Sequence, residues 1–534
     1  TTIFGGDINA PGFYENVYGN IEQEYRNREA IDWQDEVFGR TGITQNHNVS
    51  ITGGNDKTSF MVSYNYTGEE GIMKKHNYEK NSVRAKLRHQ LFSNVRFDFA
   101  ASLQSTKIEG GGSLGGTLKE TILQPVTGGI LWTNDEMINK DLSDDYTSLP
   151  GGSEYDSNNP LLSNLAIDNE KYVRLATVNA GIEIDIIKGL TFRTAGSYMW
   201  KQTRQDYWDD GSTKQAASNK SPYGYGYRNN AENSNWQITN TLNYNFDINK
   251  VHNFTVLVGQ ETSYWESMKL DNEYREFPDG NFGLNDVSMA TPYTWTSGKD
   301  RVGLVSVFGR VSYGYDNRYL INATIRGDGS SKFAKGNKWD SFPSVSAAWR
   351  ISEESFMEGT RAYLDNLKLR VGYGVAGNNK IDSNMYATSY GSGHYGNGSS
   401  DFITFVPGST IGNNALVWEK TKTVNLGLDM SWFNSRLNLQ VDWYNNESEN
   451  LLIQNKIPTE TGYTYQYQNI GSIRNRGLEI VLNAVPVATR DFTWSTDFNI
   501  AFNRSKVLSI YGGKGEESFT RDYDGGKGAQ ATFL

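Results

Sequence analysis

Polar and apolar residues alternate one for one over long stretches of this chain, and that period predicts β-strands with two differently solvated faces. From Arg436 to Tyr444, one face carries Leu437, Leu439, Val441 and Trp443, and the other carries Arg436, Asn438, Gln440, Asp442 and Tyr444. Residues 95 to 104 repeat it, with Val95, Phe97, Phe99, Ala101 and Leu103 opposite Arg96, Asp98, Ala100, Ser102 and Gln104. Trp236, Ile238, Leu242, Tyr244 and Phe246 form a third apolar row, broken once by Asn240. Phe492, Trp494, Phe498, Ile500 and Phe502 form a fourth. These runs are longer than most strands of globular proteins. A soluble sandwich produces the same alternation, so periodicity by itself leaves the two architectures open.

The links between strands separate them. About sixteen such strands follow one another, and their connections alternate between short and long, as in an up-and-down barrel with tight periplasmic turns and extended outer loops. Short links fall at Gly53 to Lys57, Phe92 to Asn94, Lys188 to Gly189, Asp247 to Val251, Asp316 to Asn317, Phe433 to Ser435 and Val487 to Arg490. Long ones run at 69–79, 108–171, 205–233, 269–301, 329–342, 378–419 and 449–473. The link at 352–366 is moderately long where the alternation predicts a short one. Counting from the turn at Gly53, residues 1–45 form an outer loop, residues 46–509 the barrel strands, and residues 510–534 the start of a further outer loop. A closed barrel that begins and ends outside needs strands beyond both points, so the expectation is an incomplete barrel.

Composition supports the membrane form. Only 37% of the 534 residues are hydrophobic, yet 13% are aromatic, with 32 Tyr, 24 Phe and 13 Trp. Mean hydropathy is -0.61. Outer-membrane barrels combine such polarity with many rings, because half of each strand faces water and aromatic girdles mark both interfaces. No apolar stretch approaches the roughly 20 residues of a spanning helix. The chain opens Thr-Thr-Ile-Phe, without a leader pattern, which agrees with a missing start. Zero Cys excludes disulfides and thiolate chemistry, and a net charge of -10 argues against a nucleic-acid partner.

Candidate chemistry is sparse. The five His, at 47, 76, 89, 252 and 394, lack zinc-site spacing. Acidic pairs at Glu69-Glu70, Asp209-Asp210 and Glu353-Glu354 read as solvated links rather than paired catalytic carboxylates. Asp522-Tyr523-Asp524-Gly525 lacks EF-hand spacing. Glycine runs at 110–116 and 512–515 do not match a phosphate-binding loop and read as loop sequence. The outer-loop aromatics are more suggestive: Tyr223, Tyr225 and Tyr227 in one loop, Tyr293 and Trp295 in another, and Trp339 in a third. Rings stack on sugar faces and on peptide side chains, so these six form a candidate ligand platform, with girdle or loop packing as the plainer reading. Arg370 and Lys368 face the lumen, toward a plug or a ligand path. No catalytic constellation stands out, and neither a cofactor nor a metal is expected.

Several blocks resemble the SusC/RagA-type TonB-dependent transporters of Bacteroidetes outer membranes. They include Asp32-Trp33-Gln34-Asp35-Glu36-Val37-Phe38 with Gln45 to Gly54, Arg326-Gly327-Asp328-Gly329-Ser330-Ser331-Lys332-Phe333, and Phe342 to Ser352. Leu367 to Asn378, Trp418-Glu419-Lys420-Thr421 and Asn475-Arg476-Gly477-Leu478-Glu479 complete the set. The resemblance implies a barrel of about 22 strands, filled by an N-terminal plug that is absent here together with several C-terminal strands. It also implies uptake of an oligosaccharide or peptide driven by TonB, with a SusD-like surface lipoprotein as lid and outer-membrane lipid around the wall. A passive porin shares the barrel without a plug. A glycan-binding or adhesive β protein is the soluble alternative.

Overall fold

A computed structural model describes residues 30–110, 114–123, 160–211, 213, 216, 221, 223–278, 283–396, 401–510 and 513–514. The first strands are β1 (Ile43–Gly54), β2 (Thr58–Glu70), β3 (Asn77–Phe92), β4 (Val95–Glu109), β5 (Ile167–Ile187) and β6 (Leu190–Asp209). They continue with β7 (Tyr225–Ile248), β8 (His252–Arg275), β9 (Thr291–Tyr315), β10 (Tyr319–Ser330), β11 (Trp339–Arg350) and β12 (Leu364–Asn378). The loop strands β13 (Tyr390–Gly396), β14 (Asp401–Pro407) and β15 (Thr410–Ile411) precede β16 (Glu419–Trp432) and β17 (Leu437–Glu449). After β18 (Leu452–Lys456) and β19 (Tyr465–Asn469), the sheet resumes with β20 (Ser472–Ala488), β21 (Thr493–Ile510) and the two-residue β22 (Gly513–Lys514). The long strands β1–β12, β16, β17, β20 and β21 form one antiparallel meander in which each pairs with the next. Its end strands β1 and β21 each have one long neighbour among the described residues.

Turn chemistry explains the short side. At Tyr315 to Arg318 the Arg318 amide donates to the Tyr315 carbonyl at 2.9 Å, and Asp316 and Asn317 both take positive φ, 49° and 51°. That geometry matches the twist of the flanking strands, and Asp and Asn tolerate it well. Gly189, at φ 83°, does the same between β5 and β6, where an added Cβ would lie 2.2 Å from the Asn245 carbonyl oxygen.

The irregular link between β11 and β12 has a physical reason. Two 3-10 turns, Ile351–Glu353 and Ser355–Thr360, bring Glu354 back under the sheet. Its carboxylate accepts from the Tyr319 hydroxyl at 2.5 Å, the Trp349 indole at 2.9 Å and Arg318 at 3.0 Å. Glu354 is therefore buried rather than solvated, and Asp209 too is buried as the last residue of β6. Of the three acidic pairs, only Glu69-Glu70 matches the solvated reading, with both residues exposed at the end of β2.

The long side differs from expectation in extent. β7, β8 and β9 run for 24, 24 and 25 residues and absorb much of the segments expected as loops at 205–233 and 269–301. The remaining outer segments fold on themselves. Helices α1 (Trp33–Phe38) and α3 (Pro160–Ala166) share a small core of Ile31, Trp33, Val37, Met73 and Leu161. Helix α2 (Leu114–Leu123) occupies part of what the glycine run suggested was open loop. A second core joins Phe333, Phe342, Ile381, Leu416 and Trp418, so the loops after β10, β12 and β17 pack as one layer. Phe333 is fully buried, and the Trp418 indole donates to the Lys338 carbonyl at 2.9 Å.

The sheet itself has no such interior. Leu103, Val258, Ile325, Val345, Phe498 and Phe502 are exposed on one continuous face across the meander. Soluble monomers rarely expose contiguous apolar patches above a few hundred Å². A lipid-facing wall accounts for this band. No helix among the described residues is long and apolar enough to cross a membrane.

Candidate functional site

Two aromatic rows bracket the apolar face. Toward the short turns, Phe246 and Phe254 stack at 5.0 Å between ring centroids, Phe254 meets Tyr313 at 4.8 Å, and Tyr319 stacks on Trp349 at 6.4 Å. Toward the long loops, Trp236 and Tyr264 stack at 6.1 Å, with Tyr198 opposite Trp236 in register. Phe246 and Trp236 lie about 33 Å apart along β7 at about 3.3 Å per residue, or about 25 Å in height at a tilt of about 40°. That is the height of a lipid-facing band between girdles. It fixes the apolar face as outward and the other as the lumen wall.

The six aromatics expected as loop residues do not converge. Only Tyr223 lies outside a strand. Tyr225 and Tyr227 sit at the outer end of β7 on the lumen side, where Tyr227 stacks on Tyr207 at 4.7 Å and Tyr225 lies 5.8 Å from the same ring. Tyr293 is capped by Arg275, whose guanidinium carbon is 3.4 Å from the ring centroid. Trp295 pairs with Asn272, and Trp339 with Gly329, both on the outward face. Trp295 is 78% exposed there. The structure thus gathers Tyr225 and Tyr227 with Tyr207 and leaves the others apart.

A different set of side chains lines the inner wall. Across β16, β17, β20 and β21, register places Asn425, Tyr444, Gly477 and Asn503 in one lateral row and Thr423, Asn446, Asn475 and Ser505 in the next. With Glu479 they bound a cleft of about 570 Å³. Asn446 Oδ1 is buried there without a hydrogen-bond partner, an acceptor left open. Gly477 is what lets Tyr444 lie flat across the strand, since an added Cβ would come within 2.5 Å of the tyrosine oxygen and of the Phe502 carbonyl oxygen. These polar positions alternate with Leu426, Trp443, Leu478 and Phe502, so period two marks their direction. Their convergence depends on register between four strands and has no signature in a single segment.

One row nearer the short turns, the wall becomes charged. Arg370 on β12 donates to Asp429 on β16 through Nε at 2.9 Å and Nη2 at 2.7 Å, and to Asp442 on β17 at 3.0 Å. Lys368 lies 3.9 Å from Asp429. A second network joins Arg96, Glu183, Asp185, Arg193 and Asp98 on β4–β6. A third joins Arg326 to Glu261, Asp328 and Ser306. The cations of these three networks are thus matched by carboxylates, and the cleft above Arg370 is lined by amides and hydroxyls with Glu479 as its one carboxylate. Among the described residues, no cluster of His, Cys, Asp and Glu is arranged to hold a metal ion.

The family described as TonB dependent receptor-like, beta-barrel matches residues 125–530. The chain belongs to this family. The TonB-dependent receptor family also supplies its curated relatives. TonB-dependent receptor SusC of Bacteroides thetaiotaomicron is 30% identical over 525 residues, covering 92% of this chain and 50% of that protein. TonB-dependent receptor P39 of Formosa agariphila is 29% identical over 515 residues, covering 95% and 46%. The chain therefore spans about half the length of the curated relatives it matches. Among solved structures, the RagAB peptide importer in its closed-closed state superimposes with a TM-score of 0.77 at 22% identity, over 95% of this chain and 57% of that one. The Escherichia coli outer-membrane transporter YddB gives 0.54 at 10% identity, over 90% and 58%. The fold is that of TonB-dependent outer-membrane barrels, and the SusC/RagA-type resemblance is borne out.

Proposed function

We propose that this chain is barrel wall of a TonB-dependent importer that takes up an oligosaccharide or a peptide, in company with a SusD-like surface lipoprotein. No bond of the ligand is made or broken, and energy delivered through TonB drives release. The observation that carries this reading is the inner-wall cleft of Asn425, Asn446, Asn475, Asn503, Tyr444 and Glu479. Amides and hydroxyls pair with sugar hydroxyls or peptide groups without the desolvation cost of a bare charge, and a flat ring offers a stacking face. The kinship with SusC, a protein named as a TonB-dependent receptor, supports uptake driven through TonB, and the fold shared with the RagAB peptide importer agrees with a peptide-sized lumen.

The test is uptake of labelled oligosaccharides and peptides by cells carrying the full-length protein, with and without collapse of the proton gradient. Active import predicts loss of uptake on collapse, together with a lipoprotein copurifying from detergent extracts. Undiminished uptake without a gradient is the behaviour of a passive porin and would overturn the proposal. Asn446→Ala with Asn475→Ala is expected to weaken uptake about tenfold, since about two hydrogen bonds at about 0.5–1.5 kcal/mol are removed.

A further inference from the structure

The outward face carries a feature that transport does not require. Beginning two rows above the outer aromatic row, Tyr172, Arg174, Gln202, Arg204, Arg228 and Asn230 line a cleft of about 310 Å³ on β5, β6 and β7. All six share the outward parity of Tyr198 and Trp236, because Arg174 pairs with Gln202, Tyr172 with Arg204, and Arg204 with Asn230. The row beneath holds Ala176, Trp200 and Ser234 and leads into the apolar band.

Three guanidiniums converge here against one carboxylate among the lining's ion pairs. Asp206 binds both Arg204 and Arg228, the latter at 2.9 Å. Two further carboxylates border the cleft: Glu170 accepts from the Tyr172 hydroxyl at 2.9 Å and pairs with Lys107 at 3.1 Å, and Glu232 accepts from the Trp200 indole at 3.0 Å. Arg174 is exposed, and among the described residues its guanidinium and the amides of Gln202 and Asn230 have no hydrogen-bond partner. Such donors, on planar forks, suit phosphate oxygens. The lowest row of the cleft, Arg174 with Gln202, lies about 10 Å above the Tyr198–Trp236 girdle at about 3.3 Å per residue and a tilt of about 40°, the level at which the headgroup of a membrane lipid is held by its own acyl chains.

We propose that this cleft binds the phosphorylated sugar headgroup of an outer-leaflet glycolipid. The arginines and the two amides take the phosphate, and Trp200 takes the sugar edge and the first methylenes of the chains. The site lies on central strands with both sheet neighbours present, so it is independent of the ligand that the lumen carries.

The test uses the full-length protein in detergent and native mass spectrometry, with bisphosphorylated lipid A, dephosphorylated lipid A and inorganic phosphate as probes. One lipid A adduct is expected. Affinity should fall about tenfold or more in Arg174→Gln/Arg204→Gln, as charge-assisted hydrogen bonds are lost. Removing the phosphates from the lipid should cost the wild type a similar factor, while Arg174→Lys should retain most of the binding. Asp206 keeps Arg228 as a partner in the double variant, and unchanged heat-modifiable mobility on gels checks that the barrel is intact. Equal binding of the two lipids, or no change in the double variant, would overturn the proposal. Displacement of the lipid by millimolar inorganic phosphate would overturn it too, assigning the cleft to a free anion.

Discussion

Arg370 and Asp429 meet as fork to fork across the β12–β16 pair, two near-parallel hydrogen bonds of 2.9 and 2.7 Å with the guanidinium lying over Gly427. A Cβ at position 427 would sit 2.6 Å from the Arg370 Cζ and from Asp442 Oδ1. The glycine and the ion pair are therefore one unit. Arg370→Ala leaves Asp442 without its cation and Asp429 with only Lys368 at 3.9 Å, and should cost about 1–3 kcal/mol, below the figure for fully buried pairs because Arg370 and Asp429 keep about a quarter of their exposure. Gly427→Ala should cost a comparable amount by displacing the fork. The temperature at which folded gel mobility is lost reads both, and no fall in either variant would refute the coupling.

Phe333 locks the outer layer without touching the membrane band. Its ring lies 5.4 Å from that of Trp418, and nothing of it reaches solvent. Phe333→Ala should cost about 3–5 kcal/mol of local stability. The expected readout is faster proteolytic nicking within 379–418 and 450–471, with the barrel's heat-modifiable mobility unchanged. Unaltered cleavage would mean that these segments hold without their core.

Acid should loosen the link between β11 and β12. The Tyr319 hydroxyl, with Trp349 and Arg318, holds the Glu354 carboxyl below its ordinary value of 4.5. A depressed folded value stabilises the native state above the unfolded value, and that contribution is lost as pH falls through the folded one. Wild type should thus exceed Glu354→Gln in thermal stability at pH 7, and the gap should close as pH drops below about 4.5. A gap independent of pH would contradict the assignment.

Much of this architecture was legible because lipid and water sort side chains with period two. The turns at Lys188-Gly189 and Asp316-Asn317, and the outward parity of Trp432 and Trp443, follow from that sorting alone. Above the outer girdle both faces of a strand meet water, so the period fades. Tyr225, Tyr293, Trp295 and Trp339 therefore read as loop residues, although hydrogen bonding continues through all four. Glu354 escaped for another reason: its partners Tyr319 and Trp349 belong to other elements, and only the folded sheet brings them together. The amide cleft was hidden likewise, being a product of register across β16, β17, β20 and β21.

The length of β7 to β9 changes what the cell presents to its surroundings. From Trp236 to Tyr225 the sheet climbs roughly 25–30 Å beyond the girdle, at about 3.3 Å per residue and a tilt of about 40°. An antibody or phage approaching this side meets a hydrogen-bonded parapet whose epitopes are composed from neighbouring strands. Sera raised against the folded protein should then recognise intact cells and lose most of their reactivity toward boiled antigen, which links immune recognition of this surface to the integrity of the wall itself.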